Sequence, residues 1–193
     1  MKRTILTVTA ALVFLAGVAF AERFIPAKGT ASSVKIEGTS TLHDWTMEGT
    51  TINGQITSPS PEKWNGAANG VVTIPVTSIK SEHAKMDKLM AESLKAAQHP
   101  EIRFELTQAA PAQATADSFV MKTAGKLTIA GVTRDITLEV KGTRNADGRY
   151  TLVGSAPIRM SDYGIKPPTA MMNTIRTGND VKVTFRWVVD KTN

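Results

Sequence analysis

The chain of 193 residues carries 23 Lys and Arg against 17 Asp and Glu, a formal charge of +6, and no cysteine. Without cysteine there is no disulfide framework, no thiolate metal site and no residue to take an N-terminal lipid anchor. The length suits one ordinary domain able to bury a real core.

Lys2 and Arg3, an apolar run over residues 5–18 and Ala19-Phe20-Ala21 together read as a cleaved secretory signal peptide over residues 1–21. That places the protein in the periplasm and removes the segment from the fold. Loss of Lys2 and Arg3 leaves +4 on a chain beginning at Glu22. This charge keeps an exported protein soluble, and it also suits peripheral contact with an anionic membrane surface. Nucleic acid is not an expected partner in that compartment.

Residues 22–33 contain Pro26, Gly29 and several small residues and read as a flexible N-terminal arm, with the domain proper at 34–190. A first strand is expected at 34–42, where Val34, Ile36 and Leu42 alternate with Lys35 and Glu37. Residues 45–57 begin with Trp45 and Met47 on one parity and end with Ile52 and Ile56 on the other, which predicts one strand with a β-bulge near Gly49. Ser58-Pro59-Ser60-Pro61 reads as a loop. Residues 71–79 form a third strand, interrupted at Pro75, which has no N–H for a ladder.

The period then changes. Met86, Leu89, Met90, Leu94 and Ala97 recur at helical spacing between Ser81, the expected N-cap, and Pro100. Strands resume at 102–107, followed by a loop at 111–117. The clearest hairpin follows: Phe119, Met121, Leu127 and Ile129 lie on one face, then Ile136, Leu138 and Val140, with the connection at Gly131 and Val132. Residues 150–158 give another strand, 161–180 a long connection, and 181–190 a last strand with Val181, Val183, Phe185, Trp187 and Val189 on one side. The all-β sum is eight strands with a helical insert between the third and fourth. Eight antiparallel strands, each apolar on one face, lose their exposed edges by closing into a barrel. A two-sheet sandwich is the alternative.

No catalytic, metal-binding or cofactor-binding pattern stands out. His43, His83 and His99 are scattered, and neither H-x-x-x-H, H-E-x-x-H nor G-x-S-x-G occurs. His43 near Ser40 reads as a turn or barrel-mouth residue, and Asp162 as a side-chain turn former. The apolar residues say more. In a barrel, inward parity assigns Ile74, Phe104, Leu106, Phe119, Met121, Leu127, Ile129, Leu138 and Phe185 to the interior, and Thr73, Arg103, Lys122, Thr128 and Thr184 to solvent. Met86, Met90 and Leu94 of the helical insert, with Met171 and Met172 of the late connection, are expected at the barrel mouth, where flexible Met side chains suit variable apolar partners. These interior and mouth residues form the candidate ligand site. Two readings follow: a carrier for a long-chain amphiphile, or a non-catalytic structural or stress-related envelope protein whose barrel is filled by its own side chains.

Four stretches resemble a known family, the YceI-like exported proteins. They are Ser40-Thr41-Leu42-His43-Asp44-Trp45, His99-Pro100-Glu101-Ile102-Arg103-Phe104, residues 125–133 (GKLTIAGVT), and Ser161-Asp162-Tyr163-Gly164-Ile165. The resemblance implies a lipocalin-like barrel that binds an isoprenoid or other long-chain lipid inside it. The chain departs from the family pattern in two places: Met160 stands where an Arg is usual, and Leu94 with aliphatic neighbours replaces the aromatics of the insert.

Overall fold

The computed structural model describes residues 22–29, 32–58, 68–115 and 117–192. The expected signal peptide and Pro59–Pro61 of the expected loop lie outside these residues. The strands are β1 (Glu22–Pro26), β2 (Ser33–Ser40), β3 (Trp45–Gly49), β4 (Asn53–Ser58), β5 (Asn69–Pro75), β6 (Ile79–Lys80), β7 (Glu101–Ala114), β8 (Ser118–Ile129), β9 (Val132–Arg144), β10 (Tyr150–Arg159), β11 (Thr169–Ala170) and β12 (Ile175–Thr192). One helix, α1 (Ala84–Ser93), separates β6 from β7.

The expected barrel is present, with lipocalin-like closure. β1, β4, β5, β7, β8, β9, β10 and β12 follow one another round an antiparallel ring, and β12 returns to β1. The ring uses strands that the sequence periodicity alone did not select. The expected mobile arm contains β1, which pairs with β12 through Arg23–Pro26 and with β4 through Glu22–Phe24. β1 has five residues and ends in Pro26, too short for alternation to register, yet it seals the barrel. The expected bulged strand at 45–57 is two strands. β3 pairs with β2 and β6, whereas β4 sits in the ring between β1 and β5. The parity switch therefore marks a crossing from one strand to another, not a bulge.

β12 explains how both arrangements coexist. Its one edge pairs with β10 over Asp180–Val189; its other edge is divided between β2, at Thr177–Arg186, and β1, at Val189–Thr192. Val188 stands at the division, where neither strand could serve it. The Ala27 N–H donates to Val188 O (2.9 Å), and Val188 N–H donates to Ser32 Oγ (3.1 Å), so both backbone groups are satisfied. β2, β3 and β6 continue from there as a flap at the end of the barrel that carries α1.

Other boundaries also shift. β2 stops at Ser40 rather than 42, because Ser40 Oγ accepts from the Leu42 and His43 N–H groups and closes a turn; Leu42 is left exposed. β5 does stop at Pro75, as its missing N–H predicts. β7 runs through the expected loop to Ala114, accommodated by register shifts between Leu106 and Gln108 and between Pro111 and Gln113. The β8–β9 connection is the pair Ala130-Gly131, both at positive φ (49° and 83°), the geometry of a two-residue hairpin turn; Val132 already pairs with Ile129. Most of the expected long connection is structured: Met160–Tyr163 form a 3-10 turn, and β11 pairs back on the start of β12. That 3-10 turn is tied by Arg134 Nε donating to the backbone carbonyl of Asp162 (2.9 Å) and by the Ser161 N–H donating to Asn179 Oδ1 (3.0 Å), rather than by the Asp162 side chain.

Candidate functional site

Inside the ring the strands present hydrocarbon. The cavity retains about 170 Å³ of free volume. Ile74, Phe104, Leu106, Met121, Leu127, Ile129, Leu138 and Phe185 line it, on the parity expected. Phe104, Leu138 and Phe185 are half-buried, packed against the core cluster on one side and bordering the cavity on the other.

Several lining residues were outside the expected set. Ile52 and Ile56 enter because β4 belongs to the ring; Val34, Ile36 and Ile79 enter from the flap. Trp187 and Val183 share the parity of Phe185 and could have been included on that ground. Thr123, the polar member of the lining, breaks the apolar alternation of β8. Its hydroxyl donates to Leu138 O (2.9 Å), so it is buried without an unmet proton.

Cross-strand register keeps this volume open. Phe119 pairs with Gly142 and Phe185 with Gly154. A Cβ at Gly142 would lie 2.0 Å from the Phe119 ring, and one at Gly154 would lie 2.7 Å from the Phe185 ring. Each ring thus lies flat on bare backbone of the wall instead of projecting to the barrel axis. Phe119 consequently does not reach the cavity; it packs beside Tyr150 in the core (centroids 6.3 Å apart). Gly154→Ala should force the Phe185 ring off the wall into the free volume. The expected result is about tenfold weaker binding of a fluorescent long-chain lipid, about 1.4 kcal/mol, in a protein that keeps its β circular dichroism.

The helical insert does not line the cavity. Met86 and Met90 are half-buried against Val34, Met47 and Ile79, while Leu94 packs on the cluster of Ile129, Ala130 and Tyr163. Because Val34, Ile79 and Ile129 line the cavity, α1 covers the end wall from outside. Ser81 does not cap α1, since His83 occupies that position. Instead Asp87 Oδ1 accepts from the Ser81 N–H (2.7 Å) and hydroxyl (2.8 Å), holding the loop to the helix. These bonds, the backbone one foremost, hold the Asp87 carboxyl below its ordinary value. A depressed carboxyl stabilises its fold fully above the ordinary Asp value and loses that stabilisation as pH falls through the lower, folded value. Amide exchange in residues 80–90, corrected for intrinsic rate, should therefore quicken at acid pH. Asp87→Asn should quicken it at neutral pH and flatten the pH response.

Met171 and Met172 lie elsewhere. They occupy the tip of the β11–β12 hairpin with Asn173, all three at positive φ, and are 73% and 101% exposed. The tight turn throws both side chains outward. Thr41 binds the two neighbouring turns together: its N–H donates to Arg176 O, its hydroxyl donates to Thr174 O, and its Oγ1 accepts from the Arg176 N–H.

The histidines do not converge. His43 Nδ1 lies 2.7 Å from Asp44 O, and Ser40 Oγ donates to the backbone O of His43, so this pair builds a turn. His83 is exposed at the start of α1, and His99 lies against the hairpin turn at Gly131. Among the described residues no three His, Cys, Asp or Glu side chains are grouped as metal ligands would be. Tyr163 is buried, and that burial foremost pushes its phenol above the ordinary range.

The profile of the YceI-like domain matches residues 26–189. The chain belongs to the YceI-like family. It is 32% identical to the protein YceI of Escherichia coli O157:H7 over 176 residues, 86% of this chain and 88% of that protein. Two solved structures share the fold. BcnA of Burkholderia cenocepacia superposes with a TM-score of 0.67 at 21% identity, covering 82% of this chain and 96% of its own. A polyisoprenoid binding domain from Saccharophagus degradans superposes with a TM-score of 0.65 at 14% identity, covering 88% and 98%.

Proposed function

We propose that this YceI-like protein is a non-enzymatic periplasmic carrier that holds the apolar chain of an isoprenoid or similar lipid inside its barrel. The observation that carries this reading is the cavity: closed strands surround free volume, and the lining is hydrocarbon apart from Thr123 and the indole of Trp187. Apolar space of this kind stays dry, and a hydrocarbon chain gains from filling it. The polyisoprenoid-binding neighbour with the same fold supports the ligand class, and the basic and apolar leader ending in Ala-Phe-Ala supports export. No charged side chain lines the cavity, so an ionic headgroup would remain outside. The free volume is below the roughly 300–1,000 Å³ of pockets for drug-sized ligands. A long chain therefore requires side chains of the lining to give way as it enters.

Denaturing organic extraction of the protein purified from cells that export it, followed by mass spectrometry, tests the reading. Stoichiometric recovery of one long-chain lipid class is expected; a lipid-free extract from a protein that also fails to take up added lipid would overturn it.

Such a carrier has to meet the membrane that supplies its cargo. Leu42, Met171 and Met172 are exposed on two turns tied through Thr41, with the exposed cations Lys166 and Arg176 on the same segment. Apolar tips beside cations suit shallow insertion among anionic headgroups. The double substitution Met171→Ser, Met172→Ser should reduce cosedimentation with phosphatidylglycerol vesicles several-fold, without changing the thermal midpoint.

A further inference from the structure

The methionines of the described residues divide by exposure. Met47, Met121 and Met160 are buried in the core, and Met86 and Met90 of α1 are half-buried. Met171 and Met172, adjacent at the tip of the β11–β12 hairpin, are 73% and 101% exposed. The bonds that hold this turn do not involve their side chains. The Thr174 N–H donates to Met171 O (3.1 Å), Thr169 Oγ1 donates to Asn173 Oδ1 (2.6 Å), and Arg176 Nε donates to Asn173 O (3.3 Å). Both sulfurs can therefore change chemically while the hairpin stands. A thioether open to water is the form of Met that oxidants reach, and its sulfoxide is polar where the thioether was apolar.

We infer that Met171-Met172 is a reversible oxidation site, at which an oxidant of the peroxide class switches off the contact of this tip with a lipid surface. This rests on the membrane contact proposed above and adds its regulation. In each step a sulfur lone pair attacks one oxygen of hydrogen peroxide. An S–O bond forms as the O–O bond breaks, sulfur gives up two electrons, and the second oxygen leaves as water with both protons. A methionine sulfoxide reductase reverses the step: its dithiol supplies two electrons and becomes a disulfide, and the sulfoxide oxygen leaves as water. The sulfoxide oxygen accepts hydrogen bonds from water, so it resists transfer into the acyl boundary where the thioether goes readily. Leu42 on the neighbouring turn, 64% exposed, cannot be oxidised in this way and leaves a residual contact. At Met47 or Met121 the same oxygen would enter the core away from water, so the fold withholds those sulfurs.

The full mature chain is treated with hydrogen peroxide, quenched with catalase, and then divided between peptide mass spectrometry and cosedimentation with dimyristoylphosphatidylglycerol vesicles. Met171 and Met172 should gain oxygen about tenfold faster than Met47, Met121 and Met160, and vesicle binding should fall several-fold as they do. Methionine sulfoxide reductases of both epimer specificities, supplied with dithiothreitol, should restore it. The double substitution Met171→Leu, Met172→Leu keeps the tip apolar and removes both thioethers, so its vesicle binding should survive the same treatment. Equal oxidation of tip and core methionines overturns the inference while leaving the membrane contact standing. So does unchanged binding once both tip residues are sulfoxides, or an equal loss of binding in the Leu variant. Failure of the untreated chain to bind the vesicles overturns the contact and its regulation together.

Discussion

Leu138→Trp should empty the barrel of ligand and leave the barrel standing. Leu138 faces the free volume and is half-buried, so the added indole has somewhere to go. It occupies the space a chain would take, and bound lipid per protein should fall at least tenfold with little change in thermal midpoint. Ile129→Trp makes the contrast. Ile129 also touches the cavity, but it is 7% exposed and packed among Ala130, Ile158 and Tyr163 beneath the hairpin turn. There the same ring is overpacking and should cost about 1–3 kcal/mol of stability. Thr128→Trp lies on the outer face, where Thr128 shares a hydroxyl contact with Thr133 (2.8 Å), and should leave lipid content unchanged. Lipid content and thermal midpoint, measured together for the three variants, separate a cavity from a solid core.

The second large effect is expected at the closing strand. Phe24 is 1% exposed and meets Tyr150 edge to face, with ring centroids 5.6 Å apart at 89°. It holds β1 between β12 and β4 while filling the end of the core opposite α1. Phe24→Ala should cost about 3–5 kcal/mol in denaturant unfolding, as deletion of a fully buried aromatic does. It should also shorten the residence time of bound lipid, because β1 joins β4 to β12 and so closes the ring of strands. A mobile arm would predict neither effect.

Reading the sequence succeeded where one strand carried its own evidence. In β8, β9 and β12 the alternation spans many residues with one apolar face, and the hairpin turn lies within a residue of its expected place. It failed where identity depends on a distant partner. β1 is defined by β4 and β12, and β4 by β1 and β5, and within residues 45–57 a parity switch between two strands reads the same as a bulge within one. The cavity itself is a register effect: Gly154 and Phe185 are ordinary residues until β10 and β12 set one against the other. Composition also misled at the hairpin tip. Met171 and Met172 resemble a flexible apolar lining, yet three successive residues at positive φ turn them to solvent.

The central claim is that ligand lies inside the ring of strands, and covalent mapping addresses it most directly. The mature protein is loaded with a long-chain lipid bearing a diazirine midway along its chain, irradiated and digested. The account predicts adducts on cavity-lining residues of β7, β9 and β12, among them Phe104, Leu138 and Phe185, and their loss in Leu138→Trp. Adducts confined to Met86, Met90 and the outer face of α1, unaffected by Leu138→Trp, would contradict it.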